Sequence, residues 1–335
     1  MPDRAALAQD FLQRAGWGKA VRSKLAGDAS FRKYERLDRS GEPAVLMDAA
    51  PPQEDVRPFL RIARHLASLG YSAPRVLAED TGHGFLLLED LGDDLFARLV
   101  QQGTDETQLY EATIDFLLDL HRHPAPADLA PYDEPRLIDE AELFVDWYLP
   151  ALTGRETPAN IRQAFRFLWG MLAPQVGMES HPERRILVLR DFHAENLIWL
   201  PQRSGAARLG LLDFQDAVAG HPAYDLVSLL EDARRDVSPD LAEQMLRRYI
   251  AGSGANDAEF RRAYAILGAQ RNIRIIGIFT RLWKRDGKPQ YQAFMPRMWG
   301  LVERDLAHPA LTDLRGWLDA MVPHDLRRKP LPGLV

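Results

Sequence analysis

The feature that most restricts the fold is a change of texture near residue 90. A short amphipathic helix over 5–16 leads into β-type runs at 20–25, 30–37 and 44–47, separated by turns at Gly27-Asp28 and Ser40-Gly41. Pro51-Pro52 break that pattern. Residues 56–69 then space Phe59, Leu60, Ile62, Ala63 and Leu66 as one helix face, which Gly70 ends. Two more runs, 75–79 and 84–88, flank the turn Asp80-Thr81-Gly82. The order β-β-β-α-β-β predicts a small antiparallel-sheet lobe with one main helix over residues 1–90. From Leu91 onward helical spacing dominates, at 95–101, 106–121, 141–148 and 161–171 and again from 224 to about 317. Apolar runs at 186–189 and 209–212 interrupt it. Residues 91–335 therefore read as a larger, mainly helical lobe, and the fold class as α+β. Residues 327–335, with Pro330 and Pro332, read as a tail, either loose or docked.

Composition excludes several function classes. There are 42 Lys and Arg against 48 Asp and Glu, a formal charge of -6, which argues against nucleic-acid or anionic-membrane partners. The absence of cysteine removes disulfides, thiolate metal sites and a Cys nucleophile. No apolar stretch approaches the roughly 20 residues that span a bilayer, and the first residues carry acids where a secretion signal needs an apolar core. The expectation is a cytoplasmic, monomeric enzyme without a membrane partner.

The densest chemistry lies at Arg190-Asp191-Phe192-His193-Ala194-Glu195-Asn196, followed 17 residues after the Asn by Leu212-Asp213-Phe214. The flanking apolar runs place these groups on a β-hairpin. One carboxylate there can take a proton, while a carboxamide and a second carboxylate can hold a hard divalent cation. Mg²⁺ uses a few such oxygens plus substrate phosphates. Phosphoryl transfer asks a protein mainly to position groups and neutralise charge.

Asp191-x4-Asn196 with Asp213 at a strand end is a protein-kinase-type arrangement. The longer pattern, Asp191-Phe192-His193-x-x-Asn196 with Asp213-Phe214-x-x-Ala217-x-x-Gly220-x-Pro222-x-x-Asp225-Leu226, resembles the aminoglycoside phosphotransferase and choline kinase group. That resemblance implies a protein-kinase-like bilobal fold using ATP and Mg²⁺. It makes Asp191 the catalytic base, Asn196 and Asp213 the metal ligands, and His193 and Asp225 structural supports. Glu89 and Leu91 fall where the lobes join and adenine pairs with backbone groups, and Gly27 to Ser30 at the turn over the phosphates. Finer features, among them Gly27-Asp28-Ala29-Ser30-Phe31-Arg32-Lys33-Tyr34 and Gly268-Ala269-Gln270-Arg271, look like the anomeric amino-sugar kinases of cell-wall recycling. Those kinases phosphorylate the 1-hydroxyl of N-acetylmuramate and N-acetylglucosamine. Two departures stand out. Met47 occupies the register where kinases carry a strand lysine, which leaves Arg32 or Lys33 to face the phosphates, and only one can because strand side chains alternate. Leu189 stands where the group usually has His.

Charge bears on the acceptor. Residues 261–297 hold nine basic residues against one acid, Asp286. At helical spacing Arg271, Arg274, Arg281 and Arg285 share an arc of roughly 80°, which suits an anionic ligand and disfavours a polycationic one. The candidate acceptor contacts are Gln270, Arg271 and Arg274, with Asp146 and Trp147 from the aromatic run 142–148, most of which reads as helix core.

Overall fold

The structure, a computed structural model, describes residues 3–25, 31–177 and 185–333. Its contacts divide the chain into two compact units, Met1–Phe116 with Ala194–Ala217, and Leu117–His193 with Val218–Val335.

The first unit is built on an antiparallel sheet of β1 (Val21–Lys24), β2 (Lys33–Arg39), β3 (Glu42–Asp48), β4 (Val76–Asp80) and β5 (Phe85–Glu89), in the order β1-β2-β3-β5-β4. All five strands follow the predicted order around the helix Arg57–Ser68. Phe11, Trp17, Leu37, Leu46, Phe85 and Leu87 form one buried cluster beneath the first helix, Arg4–Arg14. Burying each large apolar side chain contributes about 1.5–3 kcal/mol. This unit also contains an antiparallel hairpin of β7 (Leu197–Trp199) and β8 (Leu209–Leu211).

The second unit contains its own ladder, β6 (Ile186–Val188) paired with β9 (Val218–Gly220). The single hairpin expected over this stretch is therefore two separate ladders. Its centre is the helix Asp257–Lys284, whose Ile266, Leu267, Ile273 and Ile276 are fully buried. Gly277 allows a close approach: a Cβ there would sit 2.4 Å from the Leu143 carbonyl carbon. In place of the single helix expected over 141–148 there is a helix that ends at Ala141 and, after it, a π-helical turn. The first, Glu134–Ala141, starts on an Asp133 cap that accepts the Arg136 N–H at 3.1 Å, with Pro135 in its first turn. The second is a π-helical turn, Phe144–Tyr148. The C-terminal segment is docked. Arg327 is buried, donates to the Val322 carbonyl at 2.8 Å and to Asp319 at 2.5 Å, and Leu331 is buried after it. No helix among the described residues is long and apolar enough to cross a membrane.

Candidate active site

The loop that carries Asp191 is held from below by a buried carboxylate. Asp225, in the helix Ala223–Leu230, is fully buried and accepts the backbone N–H groups of Leu189 at 2.8 Å and Arg190 at 2.9 Å. Burial pushes its pKa up to about 7, against the pull of those two N–H groups and Arg271. Arg190 adopts a left-handed backbone, φ 69°, which costs a non-glycine residue about 1–3 kcal/mol. Its side chain shows what holds that conformation: the guanidinium donates to both oxygens of Glu140, at 2.9 and 2.8 Å, and lies over the Tyr132 ring. Asp191 follows on this anchored backbone, its N–H donating to the Leu189 carbonyl at 2.9 Å, while its own carbonyl accepts from His193 N–H at 3.1 Å. His193 is buried, with Nε2 3.2 Å from Arg234.

Replacing Asp225 by alanine leaves two buried N–H donors without their acceptor, at about 1–3 kcal/mol each. A melting temperature lower by several degrees is the expected result. The pH dependence has a definite sign. A carboxyl with a folded pKa near 7 and an ordinary value of 3.8 adds stability that is complete below about pH 4 and lost as pH rises through about 7. The gap between wild type and Asp225→Ala should thus be wider at pH 5 than at pH 8. Thermal unfolding at the two pH values checks this, and an unchanged gap rejects the assignment.

Asn196 and Asp213 belong to the first unit, at the open end of the β7–β8 hairpin. The Leu212 N–H donates to the Asn196 carbonyl at 2.9 Å, carrying the ladder one step beyond the strands and bringing the two residues to the same end. Asp213 also has a left-handed backbone, φ 57°. The Phe214 ring after it stacks on Phe59, at 4.9 Å, and ties this end to the helix Arg57–Ser68. The Asp213 carboxylate accepts from Gln215 at 2.9 Å and from the Arg32 guanidinium at 3.3 Å. Arg32 also lies 3.3 Å from Glu54. A carboxamide and a carboxylate at one strand end, with a cation already drawn to the carboxylate, form a hard-oxygen donor set that fits Mg²⁺. Among the described residues no three His, Asp or Glu side chains converge as a self-sufficient metal cage.

The remaining expected residues fall as follows. Arg32 reaches Asp213, whereas Lys33, the first residue of β2, is exposed, and Met47 is buried in β3. Ser30 and the turn from Gly27 lie outside the described residues. Glu89 closes β5 and is ion-paired to Arg203 at 2.8 Å and Arg75 at 3.2 Å, while Leu91 packs with Ile198 and Leu200. In the second unit Asp146 is exposed and pairs with Arg162, and Trp147 is half-buried beside the buried Phe144 and Tyr148. Gln270 is fully buried, accepts from the Tyr132 hydroxyl at 3.0 Å and donates to the Leu137 carbonyl at 2.9 Å. Arg271 is buried against Ser228, at 2.9 Å. Both side chains are committed to internal partners, which places them away from the direct acceptor contact expected of them. Arg274 is partly exposed and lies 3.1 Å from Glu140.

Glu140 is the residue that sequence reasoning missed. It takes three guanidiniums, those of Arg136 at 3.1 Å, Arg190 at 2.8 Å and Arg274 at 3.1 Å. Burial pushes its carboxyl up, yet Arg274 and Arg190 hold it below its ordinary value. The Arg136–Glu140 spacing is a helical i, i+4 pair, a signal too common to mark a site. Arg190 stands directly before Asp191, the one local hint of its part.

The phosphotransferase enzyme family matches residues 21–264. An N-acetylmuramate/N-acetylglucosamine kinase of Caulobacter vibrioides is 41% identical, over 97% of this chain and 99% of its own length. The protein of the same name in Pseudomonas aeruginosa is 35% identical over 92% of this chain and 91% of its own. In fold, a choline/ethanolamine kinase family protein from Mesorhizobium loti aligns with a TM-score of 0.63 at 16% identity, covering 95% of this chain and all of that one. ADP-bound aminoglycoside phosphotransferase APH(2'')-Ib aligns at 0.59 and 14% identity, over 89% of this chain and 97% of that one.

Proposed function

The chain belongs to the phosphotransferase enzyme family, and we propose that it transfers the γ-phosphoryl group of ATP to the anomeric hydroxyl of N-acetylmuramate and N-acetylglucosamine. It would do so as a monomer in the cytoplasm. Residues 1–90 handle the nucleotide in this reading, and residues 91–335 carry the base and the acceptor contacts. The observation that carries it is the oxygen donor pair at the open end of the β7–β8 hairpin, with Asp213 facing Arg32. The names of the full-length relatives supply the acceptor.

The proposed chemistry is a direct in-line displacement. Asp191 accepts the hydrogen bond of the sugar hydroxyl, orients it and takes its proton as the oxygen–phosphorus bond forms and the bond to ADP breaks. No covalent enzyme intermediate is needed. Mg²⁺, when bound, neutralises charge on the nucleotide phosphates, and Asn196 and Asp213 are the residues that would hold it. Arg32 stands in for the strand lysine that Met47 replaces, its guanidinium matching phosphate oxygens. Ser30, Lys33, Glu89 and Leu91 complete the proposed nucleotide contacts. Asp146, Trp147 and Arg274 are proposed for the sugar, with Gln270 and Arg271 holding the helix that presents Arg274.

ADP release measured side by side with N-acetylmuramate, N-acetylglucosamine and kanamycin tests the acceptor. The two amino-sugars should drive turnover and kanamycin should not. The product's ³¹P signal should couple to the sugar H1, as only an anomeric phosphate does. Turnover with kanamycin alone would sink the reading.

A further inference from the structure

Near the C-terminal end of the long helix, Arg281 has a guanidinium nitrogen that no described residue answers with a hydrogen bond. Beyond Arg271 and Arg274, already engaged, Arg285 pairs with Asp286 at 2.7 Å and the Lys284 ammonium lies 3.7 Å from the Trp283 ring centre. Arg281 is half-buried, and its Nε is shielded from solvent with no hydrogen-bond partner among the described residues. Its closest charged neighbours include Arg285 and Arg274 as well as Asp286. Burial first, and Arg285 next, lower its affinity for the proton. A guanidinium drawn out of water among like charges is destabilised unless an anion arrives.

Its place on the helix says where that anion would be. Arg274, Gly277 and Arg281 share one face by helical spacing. Gly277 admits the Leu143-Phe144 backbone, from which the π-helical turn carries Asp146 and Trp147. The acids of that segment are already engaged, Asp146 with Arg162 and Glu142 with Arg166. Toward the other end of the same face, Arg274 meets Glu140, the carboxylate that also holds Arg190 beside Asp191. Seven residues of helix put Arg281 about 10 Å along the axis from Arg274, a span that an arginine side chain and a substituted hexose can bridge together.

We infer that Arg281 receives the lactyl carboxylate of N-acetylmuramate and so distinguishes the acidic sugar from neutral N-acetylglucosamine. The inference rests on the amino-sugar reading above. A carboxylate is the chemical difference between the two sugars, and a planar guanidinium is the side chain suited to hold it in a two-point contact.

The test is the selectivity ratio. With saturating ATP, Arg281→Gln should lower kcat/KM for N-acetylmuramate about 10- to 100-fold, chiefly through KM. For N-acetylglucosamine it should change by less than about twofold. Arg281→Lys should recover part of the loss, since it keeps the charge without the fork. Independently of any substitution, the wild-type protein should handle the methyl ester of N-acetylmuramate as poorly as Arg281→Gln handles the free acid. Equal losses on both sugars, or no loss on either, would overturn the assignment while leaving the amino-sugar reading intact. A wild-type protein that phosphorylates neither sugar would instead remove that reading, and this inference with it.

Discussion

Asp191→Ala is expected to lower kcat by roughly 10²–10⁴-fold, the usual worth of a positioned general base, while ATP binding stays within about twofold. The split follows from the separation of duties in the chain. The Asn196–Asp213 pair belongs to the first unit, built on its own hairpin and tied to the helix Arg57–Ser68 through Phe214. Asp191 belongs to the second, on a loop held by Asp225 and by Arg190 on Glu140. Alanine at 191 leaves in place the two bonds by which Asp225 holds the loop, since these run to the backbone of residues 189 and 190. Steady-state kinetics with calorimetric titration of nucleotide checks both halves. Near-normal turnover in Asp191→Ala would sink the proposed mechanism. A parallel loss of nucleotide binding would reassign Asp191 to the nucleotide.

Asp213→Ala should have the opposite profile. Nucleotide affinity measured with Mg²⁺ is expected to drop by two orders of magnitude or so, since a metal that bridges phosphate charge is worth several kcal/mol. Binding without Mg²⁺ should change little or tighten. The second expectation comes from Arg32, which now shares its guanidinium between Asp213 and Glu54. Without Asp213 that guanidinium loses a competitor and faces the phosphates with more of its charge available. Asp213→Asn is the companion variant, preserving volume and hydrogen bonding while removing the charge that a divalent ion needs. Titrations with and without the metal separate the outcomes. If Mg²⁺ strengthens binding equally in wild type and both variants, Asp213 is not its ligand.

Much of this was open to reading along the chain. The strands of the first unit carry local signals, β-type runs closed by Ser40-Gly41 and Asp80-Thr81-Gly82, and such signals act over a few residues. The helix Glu134–Ala141 was not read from the sequence, although Asp133 and Pro135 mark its start, because its short length hid it within a polar stretch. The spacing from Asp191 to Asn196 and Asp213 identified the chemical class because phosphoryl transfer calls for that donor set in that order. Lys33 against Arg32 was not decidable from alternation alone, which says that one of two faces inward without saying which.

What the sequence alone determined is therefore local: the strand and helix order, the donor residues and their intervals, and a surplus of arginine on one helix. Tertiary structure decided which arginines of the chain are answered. Arg190 meets Glu140 across 50 residues and Arg32 meets Asp213 across 181, while Arg281, on the same helix as Arg274, keeps a buried Nε with no hydrogen-bond partner among the described residues. The reason is physical. A side chain's periodicity is set by its own backbone, whereas the pairing of a buried charge depends on which distant segment folding brings within about 3 Å of it.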